Sequence, residues 1–154
     1  MAHRLQRQWS VFIDLSFILM RLLCLLILLL PVSLANSAEY AVVISRSSTV
    51  STMEIEKIRD VFLRKRNFDG EVKLVPVNLL GDESARREFE EIILQMNRDE
   101  LNRYWISNHF QGISPPATQA SLPSIKLFVQ RVNGAIGYLP LNLVDSELKV
   151  LYEF

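Results

Sequence analysis

The sequence is short of the groups that do chemistry or hold metals. Its 154 residues include one cysteine, Cys24, and two histidines, His3 and His109. A lone thiol excludes a disulfide framework, and a zinc-type site without cysteines has to gather carboxylates from separate elements. No G-x-S-x-G segment occurs, so the usual seat of a serine nucleophile is missing. These gaps point away from an enzyme and from a resident metal or cofactor. Charge of one sign is lacking too: 17 basic side chains face 17 acidic ones, and no basic stripe marks a nucleic-acid partner. Glycine is scarce, with five in the chain, so each one asks for a local reason.

What the chain has in excess is apolar character, at 49% of residues. Much of it lies in "RLLCLLILLLPVSLANSAEY", from Arg21 to Tyr40. The run from Leu22 to Leu30 is shorter than the roughly 20 residues that span a bilayer. A basic residue precedes it, and Pro31 and small residues follow, which is the layout of a secretory signal peptide. The expected division is therefore a signal peptide over 1–38 and one domain over 39–154, exported to the periplasm. Met20 stands directly before this leader and reads as the true start. Cleavage after Ala35, Ser37 or Ala38 fits equally, and an uncleaved anchor over Phe12 to Leu34, broken by Asp14 and Arg21, is the alternative. Removing 1–38 takes away Cys24, His3, Arg4, Arg7, Arg21 and Asp14, and leaves 14 basic against 16 acidic residues.

Past the leader, strand-like and helix-like segments alternate. "YAVVIS" at Tyr40 to Ser45 is apolar without alternation, as expected of a central strand buried on both faces. Ser51 and Glu54 have the spacing of a capping box before a helix with Ile55, Ile58, Val61 and Phe62 on one side, ending at the basic run Arg64 to Arg66. Val72 to Leu79 reads as a strand in which Pro76 implies an edge or a bulge. Phe89, Ile92, Ile93 and Met96 recur with helical period, with Ser84 as N-cap and the acidic "EFEE" as a solvated face. Asn97 and Glu100 cap a third helix through Leu101, Tyr104 and Trp105 to His109, which reads as a partly buried structural side chain. "QGISPPATQAS" reads as a loop. Ser121 opens a fourth helix with Ile125, Phe128, Val129 and Val132 inward, and Gly134 stands where a left-handed C′ residue is needed. "AIGYLP" and "LKVLYEF" complete the set as strands, Gly137 inside the first marking a close approach of another backbone or a ligand. The alternation specifies an α/β sandwich with a mostly parallel sheet flanked by helices.

One segment carries a binding chemistry. In "NLLGDESARREF" a strand runs through a glycine turn into a helix whose first turn holds two arginines. Unpaired N–H groups and the helix dipole favour an anion there, with Ser84 and Arg86 or Arg87 as side-chain ligands. Asp82 and Glu83 sit at the same end and compete for those donors. The competing view is an N-capped surface helix with i,i+4 ion pairs such as Arg87 with Glu91.

The segments "VISRSSTVSTMEIEKIRDVFLRKRNFDGEVKLVPVNL", "SARREF", "RYW" and "FVQRVNGAIGYLP", in that order and spacing, resemble the periplasmic phosphate-binding protein family of ABC transporters. The resemblance runs from Tyr40 to about Pro140. It implies a single periplasmic-binding-protein-like lobe, a small oxyanion such as phosphate as ligand, and an ABC permease or other envelope protein as partner. In the family's "GSGTR-x-x-F" loop, counted back from Phe89, Arg86 takes the arginine position, while Ala85 replaces threonine, Ser84 replaces glycine and Glu83 replaces serine. Arg86 is thus the implied ligand, with Ser84 beside it if the loop is shifted by one. The departures imply weak or vestigial binding, and the contrasting expectation is a non-enzymatic interaction module on the same fold. Gly137, by the same resemblance, serves close packing near the hinge.

Overall fold

The computed structural model describes residues 39–81 and 83–154. The leader, its cleavage positions and the alternative anchor fall outside the described residues, and so does Asp82. Strand β1, Tyr40–Ser45, takes the interior place its apolar run demands, with Tyr40 to Ile44 all buried. Helix α1 spans Ile55–Phe62, and Ile58, Val61 and Phe62 turn inward. The capping box at Ser51 does not form: the helix begins later, with Glu54 at the cap position and no side-chain cap bond.

Val72 to Leu79 divides into β3, Val72–Lys73, which closes a small hairpin with β2, Phe68–Asp69, and β4, Val75–Leu79. The short helix α2, Ser84–Glu88, continues as a π-turn over Phe89–Leu94 and stops at Gln95 in the left-handed region. Helix α3, Arg98–His109, carries the full capping box of Asn97 and Glu100. The expected loop contains strand β5, Ala117–Gln119. Helix α4, Leu122–Arg131, is capped by Ser121. Strands β6, Ala135–Pro140, and β7, Leu148–Glu153, follow, joined by a 3-10 turn at Leu141–Leu143.

The five-stranded sheet has the order β5-β4-β6-β1-β7. Strand β4 is parallel to β5 and β6, whereas β1 is antiparallel to β6 and β7. Four strands therefore run one way and β1 opposes them, which is the expected mostly parallel sheet flanked by helices. Pro76 is neither on an outer strand nor at a bulge. It pairs with Ile136 on one side, while β5 joins β4 only from Val77 onward. The Val75 N–H turns toward β6 and donates to Gly134 at 2.8 Å, so the next backbone nitrogen faces the other way, where no strand has yet begun, and proline loses nothing there.

The π-turn revises the helix face read from periodicity. Wider i→i+5 bonding slips the inward face by one residue, so Phe89, Glu90, Ile93 and Leu94 are buried while Ile92 is exposed. Glu90 therefore belongs to the interior and not to a solvated acidic face. His109 is exposed rather than partly buried.

Both glycines of "NGAIGYLP" have geometric reasons. Gly134 is not a C′ residue, because α4 ends at Arg131 and Val132 is already extended. It is the third residue of a tight turn closed by Ala135 N–H on Val132 O at 3.0 Å, with φ +72°, as a type II turn requires. A Cβ there would lie 2.0 Å from the Lys73 carbonyl oxygen. At Gly137 a Cβ would meet Ile125 Cγ2 at 2.7 Å, Val77 Cγ1 at 3.1 Å and Val129 Cγ2 at 3.2 Å. The close approach is thus by side chains of α4 and β4, not by a backbone or a ligand.

Gly134→Ala should cost about 2–4 kcal/mol, the left-handed backbone and the clash together. Gly70, with φ +57° and nothing within 4 Å of a Cβ, is the comparison, and Gly70→Ala should cost only about 1 kcal/mol. Urea unfolding of the two variants decides it; equal losses would contradict this account of the turn.

Candidate functional site

Neighbouring residues of a strand face opposite sides of its sheet, and Gly137 and Tyr138 show which helix covers which side. Gly137 lies under Ile125 and Val129 of α4. Tyr138 stacks on Phe89 of the π-turn, centroids 4.1 Å apart and planes 9° from parallel, and Phe89 in turn packs on Phe62 of α1. So α4 covers one face, and α1 with the α2–π helix covers the other. Strands β4 and β5 end side by side, with Leu79 opposite Gln119 and Leu80 N–H on Gln119 O at 2.7 Å. From there β4 leads to α2 on one face and β5 to α4 on the other. In open α/β sheets, this divergence at the carboxyl ends is where ligands bind.

Two helix starts flank the divergence. At α4, Ser121 Oγ accepts the Ser124 N–H at 3.3 Å and lies 2.9 Å from Ser124 Oγ. At α2, Ser84 is the first helical residue and exposed, not the N-cap, and Glu83 takes the cap position without a side-chain bond.

Arg86 does not join Ser84 at the surface. It is drawn inward, its side chain 13% exposed. Its Nη1 donates to Leu79 O at 2.7 Å and its Nε donates to Glu90 Oε1. The second carboxylate oxygen of Glu90 pairs with Arg98 Nε at 2.9 Å. The carboxylate is only 3% exposed and is held between two guanidinium groups. Burial of an ionised carboxylate is sustained only by such pairing.

Tyr138 completes the cluster. Backbone pairing between β4 and β6 reaches Pro76 and Ile136; further along, the Leu79 N–H donates to the Tyr138 hydroxyl at 3.2 Å. Leu79 is thereby held at both backbone groups, its N–H by Tyr138 and its carbonyl by Arg86. Burial pushes the Tyr138 phenol up to about 12; the Leu79 hydrogen bond and the Arg86 charge oppose the rise, and the Glu90 charge adds to it.

Sequence reasoning found Arg86 but not the acid that holds it. Glu90 at i+4 was the available signal, since that spacing places it beside Arg86 on a helix; the "EFEE" context hid it. Ser121 was read as a cap without its position at the strand divergence. Among the described residues, no cluster of histidines, cysteines and carboxylates is arranged to hold a metal ion, and no helix is long and apolar enough to cross a membrane.

No protein-family model matches the chain, and no curated protein does. Solved structures do. A Clostridium perfringens protein assigned as a phosphate ABC transporter substrate-binding protein, with phosphate bound, aligns over 74% of this chain with a TM-score of 0.61 and 20% identity. An ABC-type phosphate transport receptor from Vibrio cholerae aligns over 74% at 0.58 and 16%. PstS from Borrelia burgdorferi aligns over 74% at 0.57 and 10%. The fold is that of these phosphate-transport proteins. The match covers 44%, 45% and 46% of their respective lengths, so this chain spans less than half of each, as one lobe does.

The raised Tyr138 pKa gives a signed prediction. The neutral phenol is favoured in the folded state, so its contribution is fully present below pH 10, the ordinary value, and is lost as pH rises toward 12. Tyr138→Phe should lower stability by about 1–3 kcal/mol at pH 7, because the Leu79 N–H loses its acceptor. It should also remove up to about 3 kcal/mol of the alkaline decline between pH 10 and 12. Unfolding curves at pH 7, 10 and 11.5 test this; parallel declines in both proteins would contradict it.

Proposed function

We propose that residues 39–154 form an exported, non-enzymatic domain of the phosphate-binding-protein type whose oxyanion position is held by the protein's own carboxylate. Anion binding is then weak or vestigial. The observation that carries this reading is the engagement of Arg86 by Glu90 and by the Leu79 carbonyl. Arg86 is the side chain that the family resemblance makes the ligand, and its donors are already directed at partners inside the fold. An incoming phosphate would have to compete with a buried carboxylate and then sit beside it, and like charges at that distance oppose each other strongly. The similarity to a protein with bound phosphate supports the ancestry of the site, and the internal pair supports its loss.

A second reading, an envelope interaction module, is favoured by one feature. Ile106 and Phe110 lie four residues apart at the carboxyl end of α3, 63% and 86% exposed, where an isolated folded domain has no use for a large apolar pair on one helix face.

Calorimetric titration of phosphate separates the outcomes. The native protein should give no saturable heat below about 1 mM phosphate, corresponding to less than about 4 kcal/mol of binding. Glu90→Gln keeps the shape and removes the competing charge, and should raise affinity at least tenfold; adding Arg86→Ala to it should abolish the gain. Micromolar phosphate binding by the native protein would contradict the proposal.

A further inference from the structure

A second place in the fold has the makings of a ligand site, at the opposite end of β4 from the cluster of Arg86 and Glu90. A cavity of about 510 Å³ opens where β5 has not yet joined β4, and Arg64, Asn67, Val75, Pro76, Ser114 and Pro115 are among the residues that line it. Its volume lies within the range of small-molecule pockets, which combine mostly apolar walls with a few polar groups. The walls here are of that kind: proline, valine, isoleucine and alanine side chains surround one guanidinium, one amide and one hydroxyl.

Arg64 is the residue that needs explaining. It stands just past Leu63, the C-cap of α1, at the position where glycine usually ends a helix, and it holds φ +61°. The surrounding bonds enforce that conformation: Arg64 N–H donates to Val61 O at 3.1 Å, and the N–H groups of Lys65 and Arg66 both converge on Asp60 O. A long side chain in the left-handed region is strained, and such strain concentrates at functional positions. The side chain is half-buried, and among the described residues its guanidinium has no ion pair or hydrogen bond. In this it differs from Arg59, which donates to Ile93 O, and from Arg86. The Arg64 nitrogens are therefore available to an acceptor placed in the cavity that Arg64 lines.

We propose that this cavity binds a small organic carboxylate with a compact apolar body. The carboxylate would pair with Arg64, whose planar fork suits bidentate recognition of two oxygens, with Asn67 and Ser114 as further donors. The apolar part would lie against Val75, Pro76 and Ile113. A strongly hydrated inorganic anion gains nothing from those walls, so the site selects against phosphate. This inference is independent of the reading given above for Arg86.

The test is calorimetric titration of the protein with hexanoate and benzoate, with hexan-1-ol and inorganic phosphate as comparisons. Saturable binding of a carboxylate, at least tenfold tighter than the alcohol or phosphate, is expected. Arg64→Met should weaken it ten- to a hundredfold, and Arg103→Ala, at an exposed position of α3, should leave it unchanged. Arg64→Gly relieves the left-handed strain, so it should unfold at the same or a higher temperature while losing the ligand, which separates loss of binding from loss of fold. No saturable carboxylate binding, or binding that Arg64→Met and Arg64→Gly leave intact, would overturn the proposal. So would phosphate binding as tight as the carboxylates.

Discussion

The buried pair of Arg86 and Glu90 is the constraint around which the helical layer over β4 and β6 is arranged. An ionised carboxylate that is 3% exposed is tolerable only with its charge compensated, and the compensation fixes three segments at once. Arg86 ties the first turn of α2 to the end of β4 through Leu79 O. Arg98 brings in the start of α3. The π-turn is what points Glu90 inward, so the irregularity in the helix and the buried charge explain each other. Neighbouring Phe89 goes inward with it and stacks on Tyr138, whose hydroxyl meets the Leu79 N–H.

The consequence for function follows from where this occurs. The carboxyl ends of β4 and β5, with helices leaving on opposite faces, form the part of an α/β sheet best suited to receiving an anion. Here Arg86, beside that end of the sheet, is engaged from within by Glu90 and the Leu79 carbonyl. The fold of phosphate-transport proteins aligns over 74% of this chain, while the Arg86 side chain is turned inward. Fold and site separate in this way because the sheet depends on apolar packing while the site depends on a few polar groups.

Much of the fold was legible in the sequence. The uninterrupted "YAVVIS" placed β1 inside the sheet, Asn97 with Glu100 and Ser121 marked two helix starts, and Gly134 signalled a left-handed backbone. The failures share a cause. Ile92 and Glu90 were misplaced because a π-turn leaves no mark on a pattern read at regular helical period. Strand β5 was missed because three residues among prolines carry no periodicity. Pro76 was misread because local pairing, not strand order, decides whether a missing N–H matters. At the site, Arg86 was visible from the "SARREF" segment, but its partner could be recognised only once Glu90 was known to be buried.

The central claim is that Arg86 and Glu90 act as a unit. A double-mutant cycle in urea tests it most directly, with Arg86→Met, Glu90→Met and the double variant. Each single change leaves a buried charge stripped of a partner and should cost about 3–5 kcal/mol. The double variant should lose far less than the two losses combined, with a coupling of at least about 2 kcal/mol. Additive losses, with coupling near zero, would show that the pair does not hold this end of the sheet and would contradict the account.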